Sequence, residues 1–145
     1  MTKHLIDSMS YVMWESDLIA TRITLALAEL FWAVMLLWPG NTFGRQTYEV
    51  MSHVMTEEAW AFVLLLSGAT QISIVVLGQY SSAFARYFAA WNAAIWVFIV
   101  VSMLISVYPP PAAIGGEIAL ALSALWIWLR PLFLLEGYRR AFRTK

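Results

Sequence analysis

Three carboxyl or carboxamide side chains stand well inside otherwise apolar stretches of this chain: Glu29, Gln71 and Asn92. A carboxyl at mid-bilayer depth is costly, so Glu29 must be neutral, paired or turned into a bundle interior. Counted by depth, Glu29 and Gln71 fall within about one helical turn of each other, and Asn92 lies nearer the inner boundary on a third helix. Arg22 is two turns, roughly 10 Å, from Glu29 and is expected to snorkel to the headgroups rather than pair with it. With no cation beside it, Glu29 is expected to be protonated and to donate a hydrogen bond to Gln71 or to a backbone carbonyl. Two chemistries suit this intramembrane cluster: a polar clasp between helices, or a site for a proton or cation.

Other reactive constellations are absent. The chain has no cysteine, and its two histidines, His4 and His53, lie outside the apolar stretches. Haem held within a four-helix membrane subunit needs histidine ligands inside the helices, so that cofactor is not expected. His53 lies four residues from both Glu49 and Glu57, a spacing that reads as a solvated helix face before it reads as a metal site. No phosphate-binding glycine loop, zinc-protease helix or nucleophile elbow occurs. No intramembrane serine has a histidine or lysine partner, and no aspartate pair is present. We therefore expect no catalytic residue, no metal, no cofactor and no enzymatic activity.

The elements that must position the polar cluster follow from hydropathy. Of 145 residues, 61% are hydrophobic and 12% charged, with mean hydropathy +0.71, far from the ~45–50% apolar and ~25% charged usual in soluble domains. The expected fold is all-α, a single integral domain over 1–145. It is a four-span transmembrane bundle with spans at about 20–38, 59–77, 87–107 and 112–129, each near the ~20 residues that cross a bilayer. Pro39-Gly40 stops the first span and Tyr108-Pro109-Pro110-Pro111 stops the third, because proline offers no amide to continue a helix. Before the first span, Leu5, Ile6, Met9, Val12 and Met13 recur at helical spacing, which predicts an amphipathic N-terminal helix lying on the membrane or docked on the bundle. Its acidic residues do not fit a cleavable signal peptide. In the longest connection, Thr47 is placed to cap a short helix with Tyr48, Met51 and Met55 on one face. Thr56-Glu57-Glu58 then supplies an acidic start to the second span.

Four spans place both termini on one side. Eight of the nine basic residues fall there: Lys3, Arg22, Arg86, Arg130, Arg139, Arg140, Arg143 and Lys145; only Arg45 falls opposite. The positive-inside rule then gives N-in, C-in insertion, with Arg130, Arg139, Arg140, Arg143 and Lys145 forming a cytoplasmic basic tail. Trp38, Trp60 and Tyr108 mark the outer boundary. Zero formal net charge leaves no electrostatic footprint for nucleic acid. Gly68 in the second span, and Gly115, Ala119 and Ser123 at successive fours in the fourth, are small residues that let helices approach closely. For the stripe, a neighbour within the same chain is favoured.

Two families are similar in part. Four helices with a glutamate central on the first, in Leu27-Ala28-Glu29, resemble the small multidrug resistance transporters, which would imply at Glu29 a carboxylate holding protons and cationic substrate in turn. The run Leu37-Trp38-Pro39-Gly40-Asn41-Thr42-Phe43-Gly44-Arg45 with Tyr48 and Met51 resembles small multi-span membrane proteins of tailed phages and prophages. That resemblance implies the bacterial inner membrane, with roles such as lysis, superinfection exclusion or modulation of a host complex. The expected function is non-enzymatic: helix packing, self-association as a homo-oligomer, or binding of another membrane protein within the lipid bilayer. The alternative is proton-coupled transport or a holin-like, ion-conducting pore through Glu29.

Overall fold

A computed structural model describes residues 2–40, 42–79, 82–112 and 114–143, with side chains described between 16 and 130. The first helix, α1 (Thr2–Leu37), runs 36 residues without a break. Nothing between Leu5 and Ala20 is a proline or a glycine, so the backbone has no reason to stop before Pro39. The expected N-terminal helix is thus continuous with the first span instead of forming a separate element; its apolar face at Leu5, Ile6, Met9, Val12 and Met13 lies outside the described side chains.

After α1 come a 3-10 turn (Gln46–Tyr48), α2 (Glu49–Val54), α3 (Glu57–Val76), α4 (Ala83–Ser106) and α5 (Ile114–Arg143). Thr47 does not cap α2; it falls inside the 3-10 turn, and Tyr48 occupies the cap position without a side-chain bond. Met51 is nevertheless fully buried, with Tyr48 and Met55 partly buried beside it. The start of α3 follows the sequence closely: Thr56 Oγ1 accepts from the Ala59 amide at 3.3 Å, with Glu57 and Glu58 in the first turn. Replacing Thr56 by alanine is expected to destabilise the protein by about 1 kcal/mol, read as a lower melting temperature by circular dichroism in detergent. Ser82 caps α4 in the same way, accepting from Ala85 at 3.1 Å.

Three helices among the described residues are long and apolar enough to cross a membrane: Ser16–Leu37 of α1, α3, and α4. They are packed as two pairs. α1 lies chiefly against α3, and α4 chiefly against α5, with α2 tucked beneath α4. Gly68 explains the tightness of the first pair. A Cβ there would stand 2.8 Å from Leu30 Cγ and 3.0 Å from the Ala26 carbonyl oxygen, so only glycine lets the two backbones come this close. The pairs meet across larger side chains. Trp96 is fully buried and lies edge-on to Trp32 at 6.3 Å, and Trp60 stacks on Phe98 at 5.4 Å. Trp60, expected at the outer boundary, lies in the first turn of α3, is 4% exposed and donates from Nε1 to the Met51 carbonyl at 3.1 Å. That bond joins α2 to α3.

Candidate functional site

The buried stripe of α1 is Arg22, Leu25, Ala26, Glu29, Ala33 and Leu36, the 3–4 spacing that turns one helix face inward. Two ionisable residues therefore share the face that meets the rest of the bundle. α3 answers with Ser67 and Gln71, one turn apart, and α4 with Ala85 and Asn92, two turns apart; all four are buried. Because α3 runs antiparallel to α1 and α4 runs parallel to it, these residues fall into two layers.

In the layer nearer the N-terminus of α1 the Arg22 guanidinium donates to Gln71 Oε1 at 2.8 Å and to the Ala85 carbonyl at 3.1 Å. Arg22 is 2% exposed, so it does not snorkel as expected. Its planar fork finds two acceptors inside the bundle, which outweighs the path to the headgroups. Gln71, expected beside Glu29, is taken by this arginine. In the middle layer Glu29 is 0% exposed; its Oε1 accepts from Ser67 Oγ at 2.9 Å and from Asn92 Nδ2. The close approach at Gly68 is what brings the adjacent Ser67 onto the carboxyl. Asn92 Nδ2 also lies 3.4 Å from Ser67 Oγ. Glu29 and Asn92 are thus in contact, and they tie the α1/α3 pair to α4.

This seam between the helix pairs carries several polar atoms that are buried without a hydrogen-bond partner: Arg22 Nε, Glu29 Oε2, Asn92 Oδ1, Trp96 Nε1 and Ser102 Oγ. On Glu29 and Asn92 the unpartnered atoms are both oxygens, which accept a proton or coordinate a cation. Sequence reasoning missed Arg22 and Ser67 as parts of the seam. The signal was present: Arg22 and Glu29 are seven residues apart, Ser67 and Gln71 four apart, and both spacings place a pair on one helix stripe.

The remaining candidates lie elsewhere. Gly115 and Ala119 are exposed and Ser123 is partly so; a Cβ built on Gly115 or Gly116 meets nothing within 4 Å. The small stripe therefore faces away from the bundle, against the expectation of an internal neighbour, because α5 turns Ile114, Ala121, Ala124 and Ile127 inward. His53 Nδ1 lies 2.7 Å from the Glu49 carbonyl, and no cluster of metal-binding side chains occurs among the described residues. Of the basic tail, Arg130 is 9% exposed; the side chains of Arg139, Arg140 and Arg143, and Lys145 as a whole, lie outside the described residues.

At the opposite end of the bundle, Tyr48 sits between charges. Burial pushes its phenol above the usual range, the Glu117 carboxylate pushes it further, and the Arg45 guanidinium pulls it back. Phe43 stacks on its ring at 6.1 Å and Trp32 meets it edge-on at 5.9 Å.

No family model, curated protein or solved structure matches this chain. Its class rests on its own features: three long apolar helices and a charged seam buried between helix pairs describe a small polytopic membrane protein in contact with the lipid bilayer.

Proposed function

We propose that this is a four-span, N-in and C-in protein of the bacterial inner membrane, without enzymatic activity, in which Glu29 binds a proton or a monovalent cation. α5 serves as the fourth span: its 30 residues reach roughly 45 Å at 1.5 Å each, enough to cross the bilayer and emerge. The observation that carries the cation reading is the pair of unpartnered oxygens, Glu29 Oε2 and Asn92 Oδ1, on side chains that are both 0% exposed. An ionised Glu29 with nothing bound would leave each of these acceptors at a cost of about 1–3 kcal/mol. A bound proton or cation removes that cost. The arrangement of two helix pairs with the carboxyl in the seam between them supports proton-linked transport or ion conduction as its use.

Reconstitution into liposomes tests this. Under an imposed pH or sodium gradient the wild-type protein is expected to dissipate the gradient, and Glu29→Gln, which keeps the hydrogen-bonding shape but not the charge, is expected to match protein-free vesicles. Equal flux in both, or flux in neither, would show that Glu29 serves packing alone.

A second reading, self-association or binding of another membrane protein as in the phage-like hypothesis, draws support from the outward face of α5. Gly115, Gly116 and Ala119 leave room there for another backbone. Glu29, Gln71 and Gly68 no longer support it, since each is engaged within the chain. Mass determination in mild detergent separates the readings: a heavier species lost in Ala119→Leu favours association.

A further inference from the structure

The end of the bundle where α1 stops holds a cavity of about 230 Å³, lined by Phe31, Trp32, Met35, Tyr48, Arg45 and Glu117 together with Leu36 and Thr42. A neighbouring cavity of about 190 Å³ shares Met35, Thr42 and Arg45 and extends it towards Trp38 and Gly40. Both are smaller than the ~300 Å³ at which sites for drug-sized molecules begin. Each therefore has room for a compact group and not for a whole amphiphile.

Its walls carry opposite charges that do not neutralise each other. Arg45 is exposed on the connection, and no ion pair joins it to Glu117 among the described residues. Glu117, in the first turn of α5, has a covered Oε2 without a hydrogen-bond partner. Tyr48 lies in the field of both. A ligand satisfying both walls carries an anion and a hydrogen-bonding cation a few bonds apart. Beside the cavity, Phe31 and Met35 on the outward face of α1 and Trp38 just past its end are 63%, 49% and 67% exposed, an apolar strip along which acyl chains can lie.

The geometry points to a phospholipid site in which a phosphoethanolamine headgroup enters this cavity, its phosphate on the Arg45 guanidinium and its ammonium on the Glu117 carboxylate. Guanidinium and phosphate make a charge-assisted, forked contact. The ammonium supplies the N–H donors that Glu117 Oε2 lacks, whereas a choline headgroup has none and a glycerol headgroup has no cation. Seating at a span end, beside an exposed apolar strip, favours a membrane lipid over a soluble zwitterion. The site lies at a span end whichever way the chain is inserted, so it stands or falls separately from the Glu29 reading.

The test uses the full chain in nanodiscs made from equal parts of phosphatidylethanolamine, phosphatidylglycerol and phosphatidylcholine, followed by native mass spectrometry of the lipid retained in mild detergent. Phosphatidylethanolamine is expected to be retained in preference to the other two. Arg45→Gln and Glu117→Gln are each expected to weaken its retention about tenfold, the effect of losing one charge-assisted contact. Neither variant touches the seam, and both should melt with the wild type, so a lost lipid is not a lost fold. Retention that mirrors the bulk composition, or that is equal in wild type and both variants, overturns the site. Displacement of the lipid by glycerophosphoethanolamine at equal concentration overturns the membrane source.

Discussion

Arg22→Leu is expected to destabilise the protein by about 2–6 kcal/mol, because two buried acceptors lose their donor at about 1–3 kcal/mol each. Those acceptors are Gln71 Oε1 and the Ala85 carbonyl, on α3 and α4, so the loss falls on the joint between the two helix pairs. Leucine fills much of the volume but leaves both oxygens facing an apolar seam. Arg22→Lys should recover only part of the loss: an ammonium on a flexible stem keeps the charge but cannot span two acceptors as a planar fork does. Titration of folded protein with a denaturing detergent, followed by circular dichroism, ranks the three. If Arg22→Leu unfolds at the wild-type midpoint, Arg22 reaches the headgroups and its layer is misplaced.

Gly68→Val is expected to cost more than Gly68→Ala, which itself falls in the range of about 1–3 kcal/mol found when atoms are forced into a packed core. At Gly68 the added Cβ lies 2.8 Å from Leu30 Cγ and 3.0 Å from the Ala26 carbonyl oxygen. The leucine branch can turn aside, but the carbonyl belongs to the α1 backbone and moves only if the helices part. Parting them also draws Ser67 away from Glu29 Oε1. The same titration reads the stability loss, and proton flux through Gly68→Ala reads the second effect. A Gly68→Val protein as stable as wild type would mean that α1 and α3 do not touch here.

Much of the architecture was legible in one dimension. Apolar runs of sufficient length mark α1, α3 and α4, and Pro39-Gly40 and the three prolines after Tyr108 mark where two of them end, since proline offers no amide to continue a helix; the single Pro131 does not act this way, and α5 runs through it, past the expected span end at 129. Thr56 before two glutamates marks the start of α3 for an equally local reason. Local signals fail where continuity matters: the helical spacing of Leu5, Ile6, Met9, Val12 and Met13 predicts a separate amphipathic helix, yet a change from an amphipathic to an apolar pattern does not interrupt backbone hydrogen bonding, and α1 runs through it.

The seam was legible only in part. Periodicity puts Arg22 and Glu29 on one stripe of α1, and it puts Ser67 and Gln71 on one stripe of α3, because 3.6 residues per turn is a property of the helix itself. Depth counting then paired Glu29 with Gln71, one turn out of register. Which side chain meets which across helices depends on how closely two backbones approach, and Gly68 sets that approach for α1 and α3. The outward turn of Gly115 and Ala119 has the same origin: a stripe of small residues permits close packing but does not say on which side the neighbour stands. The ends of α1 and α4, the start of α3 and the faces shared within α1 and within α3 were therefore determined by the chain alone. The pairing of Arg22 with Gln71 and of Glu29 with Ser67 and Asn92 was decided only when the two helix pairs closed around them.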